Sequence, residues 1–200
     1  MSRCLLTSLL VCFAACSGEF AMRDQPDAGD AQRDGGAQSD AGRGGVIDAG
    51  ADVPAELRAV VDMHNVARVQ VGSPPLAWNA GVAQTALEWA ELCSFSHEPN
   101  ADRTYMGQPL GENLAWGAGS FAADQLARLW INEQQNYDCD SNTCAPGQAC
   151  GHYTQVIWRT TTELGCALAI CNSSTQYLVC RYLPPGNIIG FRPVPAQDCP

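Results

Sequence analysis

The amino-acid sequence predicts a mixed α+β domain that is stabilised by disulfide bonds. Three stretches with apolar residues at helical spacing come first, and two β-type runs around a turn follow them. Helices followed by a hairpin, in one chain with a single core, indicate a layered α+β fold. Eight cysteines fall in residues 53–200 without paired Cys-x-x-Cys units. An even set in an exported domain favours a disulfide framework over zinc ribbons.

The first 22 residues have the pattern of an export signal. Arg3 supplies the positive start, and residues 5–15 form an apolar core that is too short for an ordinary membrane-spanning helix. Residues 13–16 also resemble a bacterial lipobox, which implies a lipid on Cys16. We therefore expect a secreted or envelope-anchored protein that contacts a membrane only through that lipid.

Residues 23–52 consist almost entirely of Asp, Ala, Gly, Gln and Arg, with no aromatic residue. Such a stretch buries too little apolar surface to offset the entropy of ordering, so we expect a soluble, disordered tether. A cleaved propeptide is the alternative that composition leaves open. Residues 53–200 then form the folded domain.

Charge and composition exclude several function classes. The net charge is −10 and no basic patch is visible, which excludes a nucleic-acid partner. The chain contains no lysine, so lysine Schiff-base and Ser-Lys mechanisms are excluded as well. It has three histidines, and these are the main candidates for metal binding or general base catalysis near neutral pH.

The first predicted helix covers residues 54–71 and starts at Pro54, a good first-turn residue. A Gly-Ser-Pro-Pro run at residues 72–75 must end it. The residues expected on its buried face are Leu57, Val60, Val61, His64, Ala67 and Val71.

The second predicted helix has Asn79 as its N-cap and reaches Leu92. We expect it to bury Val82, Ala86, Leu87 and Trp89. The third helix starts after Ser120 and carries Leu126, Leu129, Trp130 and Glu133. Residues 164–170 and 176–183 are β-type runs that flank the turn-forming residues 172–174, which predicts an antiparallel hairpin.

Four separated residues form a candidate site: His97, Glu112, Glu133 and His152. The segments around them, with three others, resemble the CAP superfamily of cysteine-rich secretory proteins, antigen 5 proteins and plant pathogenesis-related proteins of group 1, and the plant-type members most. The matching segments keep their order and are residues 64–68 (HNVAR), 75–78 (PLAW), 93–97 (CSFSH), 111–116 (GENLAW), 130–137 (WINEQQNY), 151–158 (GHYTQVIW) and 184–187 (PPGN).

The resemblance implies a three-layer α-β-α sandwich with a central antiparallel sheet. It also implies that His97, Glu112, Glu133 and His152 converge in one open cavity as the family's tetrad. His64 lies outside the tetrad, and its place among apolar helix residues favours a structural role. Glu98 departs from the family, because many relatives have Ser after the matching histidine.

The tetrad residues could act in two ways. Two imidazoles and two carboxylates could ligate zinc or another divalent cation, or they could hydrogen-bond each other and water without a metal. No G-x-S-x-G or H-E-x-x-H motif accompanies them, so catalysis has little support. Thr154 and Gln155 could donate hydrogen bonds to a ligand, but we favour a bracing role for both in a short helix.

The resemblance further implies the disulfides Cys93–Cys171, Cys144–Cys150 and Cys166–Cys180. Cys139 and Cys199 are then left over, and we predict that they form a fourth bridge that ties down the C-terminal tail. Sterol or other lipid binding is reported for plant and fungal relatives and is tied to a loop, here residues 141–150. This loop lacks aromatic residues, and a Cys144–Cys150 bond would restrain it.

We therefore expect an exported, non-enzymatic binding module with the tetrad cavity and an adjacent groove as its ligand site. A metal-assisted, protease-like hydrolase that uses the same cavity is the first alternative. A surface domain that binds an extracellular or envelope protein partner and no small ligand is the second.

Overall fold

A computed structural model describes residues 52–199 of the chain. The expected export signal, the lipobox cysteine Cys16 and nearly all of the expected tether lie outside these residues. Four α-helices are present in the described part: α1 (Arg58–Gln70), α2 (Ala80–Glu91), α3 (Ala123–Asn132) and α4 (Gly151–Val156). Short 3-10 turns occupy Ala55–Leu57, Glu133–Asn136 and Ala196–Asp198. None of the described helices is long and apolar enough to cross a membrane.

The strands form one sheet of four and two small pairs. The main sheet has the order β1-β7-β8-β4 and contains β1 (Ala77–Trp78), β4 (Gly111–Ala118), β7 (Glu163–Cys171) and β8 (Thr175–Leu183). Its pairings are antiparallel except for the two-residue edge strand β1, which runs parallel to β7. The small pairs join β2 (Thr104–Tyr105) to β3 (Gln108–Pro109) and β5 (Tyr137–Asp138) to β6 (Thr143–Cys144).

Helices cover both faces of the sheet. Side chains alternate across a strand, so neighbouring residues of β8 enter different cores. Leu178 and Tyr182 pack with α1, α3 and α4, whereas Tyr177 and Val179 pack with α2. The three-layer α-β-α sandwich is therefore the fold of this domain.

Most of the predicted elements are present, with local differences. Asn79 caps α2 by accepting a hydrogen bond from the Val82 amide at 3.0 Å. Leu87 and Trp89 are only half-buried, because α2 turns its small residues Ala86 and Ala90 toward the sheet. Glu133 lies in the 3-10 turn that follows α3 instead of in the helix.

The helix α1 is fastened to the rest of the domain by a buried guanidinium. Arg68 is fully buried and donates hydrogen bonds to four backbone carbonyls, those of Pro74, Val156, Trp158 and Thr161, at 2.6 to 2.9 Å. Burial lowers the pKa of Arg68 to about 10, so the side chain stays charged at neutral pH. The cation therefore joins α1 to the chain between α4 and β7.

Four disulfide bonds join the eight cysteines of the domain. The pairs are the four expected ones: Cys93–Cys171, Cys139–Cys199, Cys144–Cys150 and Cys166–Cys180. Cys139–Cys199 closes 60 residues and ties the C-terminal segment to the chain that follows α3. Cys166–Cys180 links β7 to β8 at directly opposed positions.

Candidate functional site

A cavity of about 430 Å³ lies against the free edge of β4. Three consecutive residues of this strand, residues 114–116, line it. Because successive side chains point to opposite faces of a sheet, the cavity must face the strand's edge. The other walls come from the segment before β2 and from the end of α3 and the start of α4: Phe95, Ser96, His97, Leu129, Trp130, Glu133 and His152.

On one side of the cavity, His97 is paired with Glu112. The His97 Nδ1 lies 2.8 Å from Glu112 Oε1, and the Glu112 side chain is fully buried behind the half-exposed imidazole. Phe95 has a φ of 52°, unusual for an aromatic residue, and its ring packs against Tyr177 in a tilted arrangement, with the ring centroids 5.0 Å apart.

Two arginines surround the buried Glu112 carboxylate. Arg103 Nη1 lies 3.3 Å from Oε1, and Arg181 Nη2 lies 3.3 Å from Oε2, without the geometry of a hydrogen bond at Oε2. Arg181 is also paired with the Glu98 carboxylate at 2.5 Å. The unusual Glu98 therefore compensates the charge of the buried Arg181 guanidinium. Together, the carboxylates of Glu98 and Glu112 face the guanidinium groups of Arg103 and Arg181.

On the other side of the cavity, His152 is paired with Glu133. The His152 Nδ1 lies 2.6 Å from Glu133 Oε1, while Oε2 accepts hydrogen bonds from the His152 and Tyr153 amides at 2.9 and 3.3 Å. The Trp130 ring stacks on the imidazole at a centroid distance of 6.3 Å. Backbone amides of the first turn of α4 thus stabilise the Glu133 carboxylate, as the two arginines stabilise the Glu112 carboxylate.

A buried chain of hydrogen bonds holds the backbone carbonyl of His152 in place. Asn113 Nδ2 donates to the His152 carbonyl and to the Tyr182 hydroxyl, both at 3.0 Å. The Tyr182 hydroxyl lies 2.8 Å from His64 Nε2, and His64 Nδ1 lies 2.7 Å from the Val60 carbonyl. A carbonyl only accepts, so Nδ1 carries the proton and Nε2 accepts from Tyr182. His64 is structural in this geometry and does not reach the cavity.

The tetrad does not form a metal site with four protein ligands. Each carboxylate holds an imidazole Nδ1, and in residues 52–199 no three His, Cys, Asp or Glu side chains converge on a point that could hold a metal ion. Among residues 52–199, the Nε2 atoms of His97 and His152 have no hydrogen-bond partner. This carboxylate-oriented arrangement is the one in which histidines usually ligate metals, so zinc would have two protein ligands at most here.

The described residues also lack an activated nucleophile. Within residues 52–199, no hydroxyl hydrogen-bonds the Nε2 of His97 or His152, and all eight cysteines are in disulfides. Nucleophilic catalysis needs a hydroxyl or thiol within hydrogen-bond reach of a base. Neither His97 nor His152 meets that condition within this part of the chain.

Thr154 and Gln155 brace the neighbouring chain. Thr154 Oγ1 donates to Asn187 Oδ1 at 2.8 Å, and Gln155 Oε1 accepts from the Gly186 amide at 3.0 Å. Neither residue lines the cavity. The loop of residues 141–150, expected to influence lipid binding, is closed by Cys144–Cys150 and borders a separate cavity of about 220 Å³.

Several residues of the site were not predicted from the sequence. The register of β4 against β8 places Arg181 opposite Glu112, and Arg103 reaches the same carboxylate from the residue just before β2. Leu129, which the sequence placed on the third helix without a role in the site, is 53% exposed and lines the cavity. Phe95, Leu129 and Trp116 form apolar walls of the cavity.

Comparison with known proteins places these features in a family. Residues 61–182 match the sequence model described as "CAP: Cysteine-rich secretory protein family". Pathogenesis-related protein 1C of Nicotiana tabacum is 46% identical over 138 residues, which are 66% of this chain and 77% of that protein. A pathogenesis-related protein of PR-1 type from Sambucus nigra is 41% identical over 135 residues, 66% of this chain and 78% of that protein.

Solved structures show the same fold. The venom allergen-like protein 4 of Schistosoma mansoni matches with a TM-score of 0.59 and 27% identity, over 74% of this chain and all of that one. NaASP2, solved with Zn²⁺, matches with a TM-score of 0.58 and 25% identity, over 72% of this chain and 87% of that one.

Proposed function

Because the chain belongs to the cysteine-rich secretory protein (CAP) family, we propose that it is an exported, non-enzymatic binding module. Its ligand occupies the cavity at the free edge of β4. The observation that carries the proposal is the composition of the cavity wall, where apolar side chains meet two imidazoles that the carboxylates of Glu112 and Glu133 hold in place. A protein site of this kind fits a ligand with an apolar body and one polar group.

The chemistry of the imidazoles indicates what that polar group is. When Nδ1–H donates to a glutamate, the Nε2 of a neutral imidazole is a hydrogen-bond acceptor. A hydroxyl group can then donate to His97 or His152 while the apolar body lies against Trp116 and Leu129. A sterol or a lipid with a free hydroxyl has this form.

Zinc is a second candidate ligand of the same cavity. The observation in its favour is that Glu112 and Glu133 both orient histidines through Nδ1, which leaves two Nε2 atoms as ligands. NaASP2, which shares this fold, was solved with Zn²⁺. With only two protein ligands we expect weak binding that depends on both His97 and His152, measurable by calorimetry on the single alanine variants.

A metal-assisted hydrolase is the rival function from a different class. It predicts turnover of a peptide or ester that requires metal and disappears in His152→Ala with the fold intact. A binding module predicts saturable uptake of a hydrophobic ligand that survives the same substitution, because the apolar walls hold most of the ligand. A pure protein-interaction domain predicts neither result.

Native mass spectrometry of the oxidised protein, before and after exposure to a lipid extract, separates these functions. We expect a mass increase from one bound lipid in the wild type, and the same increase in His152→Ala. The spectrum also reports bound metal and the number of disulfides. Bare protein in every condition would remove the support for a small ligand.

A further inference from the structure

A cluster of exposed apolar side chains lies far from the tetrad in sequence, in residues 188–191. Ile188, Ile189 and Phe191 are 46%, 98% and 68% exposed, respectively. Isolated exposed apolar residues are common on proteins, but three in one four-residue turn form a protruding patch. We call residues 188–191 the apolar turn.

The backbone fixes the apolar turn in its exposed position. The Phe191 amide donates to the Ile188 carbonyl at 3.0 Å, and Gly190 has a φ of 85°. Among these residues only Gly190 has a positive φ, which is the pattern of a type II turn with glycine in its third position. Ile189 therefore stands at the apex, where its side chain contacts little of the protein.

Both ends of the apolar turn are held by hydrogen bonds to the folded domain. Before it, Asn187 Nδ2 donates to the Gly151 carbonyl at 2.7 Å. After it, Arg192 donates to the carbonyls of Cys139 and Asp140 at 2.8 and 2.7 Å. The turn is thus an ordered projection that presents apolar side chains to the outside.

The surface beside the turn is apolar with cations at its margin. A shallow groove of about 410 Å³ adjoins Phe191 and is lined mainly by apolar side chains, together with Arg159 and Arg192. Arg159 is paired with Asp198, whereas the hydrogen bonds of Arg192 go to the backbone carbonyls of Cys139 and Asp140. Two of the seven arginines of residues 53–200 therefore flank this patch.

We propose that the apolar turn inserts into the surface of a phospholipid bilayer, with Arg159 and Arg192 at the level of the headgroups. Apolar side chains at a tip with cationic groups behind them match the order of hydrocarbon and phosphate in a bilayer. This interaction goes beyond the proposed cavity ligand and does not depend on it.

The chain that precedes the domain indicates why a bilayer is the partner. The sequence predicts a tether over residues 23–52 that follows a lipid site at Cys16. A random coil of 30 residues, the length of that predicted tether, spans about 30 Å on average. A lipid at Cys16 would hold the domain within that distance of the membrane and so raise the effective concentration of the bilayer at the turn.

The test is flotation of the full chain with vesicles of phosphatidylcholine and phosphatidylglycerol, in a Cys16→Ser background that carries no lipid at this position. We expect the parent to float with the vesicles. Ile189→Ser should reduce the partition coefficient about tenfold, since one fully exposed isoleucine loses its transfer into hydrocarbon. Because Ile189 has almost no contacts, this substitution leaves the fold intact.

The matched control is Ile170→Ser, at an isoleucine of β7 that is 67% exposed and lies outside the apolar turn. We expect its partition coefficient to stay within about twofold of the parent. No flotation of the parent, or equal loss in both serine variants, would overturn the proposal. Flotation that requires a second protein on the vesicles, and does not occur with lipid alone, would also overturn it.

Discussion

His64 is a buried histidine that the fold keeps neutral. Burial lowers its pKa from the usual 6.5 to about 4, against an opposing hydrogen bond to the Val60 carbonyl. The unfolded chain therefore binds a proton at a higher pH than the folded protein does. The stabilisation is complete above pH 6.5 and is lost as the pH falls toward 4.

We predict that the free energy of unfolding falls by about 3 kcal/mol between pH 6.5 and pH 4 because of His64 alone. Urea unfolding of the oxidised protein across this range measures the loss. The His64→Gln variant should be less stable at pH 7, because the hydrogen bonds of residue 64 to Val60 and Tyr182 change. Its free energy of unfolding should depend less on pH than that of the wild type. Equal slopes for the two proteins would show that His64 is not the titrating group.

Arg68 is the residue whose loss should weaken the domain most. In Arg68→Met, four carbonyls would lose their donor in a buried site, and we expect the free energy of unfolding to fall by about 3 to 5 kcal/mol. Arg128→Met is the matched control, because that side chain is 59% exposed and its pair with Asp124 is 3.8 Å long. The control should change stability by less than about 0.5 kcal/mol. Similar midpoints for both variants in urea would contradict the assigned role of Arg68.

At the scale of elements, the packing of α2 on the sheet depends on one glycine. A Cβ on Gly165 of β7 would lie 2.1 Å from the Ala83 backbone nitrogen in α2. Backbone cannot move aside as a side chain can, so Gly165→Ala must push the helix from the sheet.

We expect Gly165→Ala to cost about 3 kcal/mol of stability. Gly151→Ala provides the comparison, because a Cβ there meets nothing within 4 Å and the residue begins α4. That variant should be neutral or slightly stabilising in the same thermal unfolding experiment. If Gly165→Ala unfolded at the wild-type temperature, the contact between α2 and β7 would have to be looser than described.

The helices and the hairpin were predictable from the sequence because their signals are local. Asn79 marks a helix start by its own side chain, and the turn at residues 172–174 marks the hairpin. β4 was not predicted, since its sequence Gly-Glu-Asn-Leu-Ala-Trp-Gly-Ala lacks a clear alternation. Its identity as a strand comes from pairing with β8, which local patterns do not encode.

The same limit applies to the site. Motifs identified the four tetrad residues, but they did not predict which histidine pairs with which glutamate. Glu112 pairs with His97 because β4 lies beside the segment that precedes β2. Glu133 pairs with His152 because the end of α3 packs beside the first turn of α4. Both pairings follow from tertiary packing, so only the assembled fold contains them.

At the scale of the whole molecule, the disulfides differ in the length of chain that they close. Cys139–Cys199 spans 60 residues, whereas Cys144–Cys150 spans 6. In the chain-entropy account, the first should stabilise the protein by about 4 kcal/mol and the second by about 2 kcal/mol.

Replacing each pair by serines should therefore lower stability more for Cys139 and Cys199 than for Cys144 and Cys150. Urea unfolding under non-reducing conditions measures both losses. Peptide mapping without reductant should find no free thiol at Cys139 or Cys199 in the wild type. A reversed order of stability would show that residual structure in the unfolded chain, and not loop length, controls the effect.

The most direct test of the cavity as a ligand site is equilibrium binding of cholesterol to the oxidised protein and three variants. Leu129→Glu puts a charge into the apolar wall, and Leu92→Glu puts the same charge at an exposed position outside the cavity. We predict saturable binding that is about tenfold weaker in Leu129→Glu, unchanged in Leu92→Glu and retained in His152→Ala. Absence of binding to the wild type, or equal affinity of Leu129→Glu, would contradict a binding module built around this cavity.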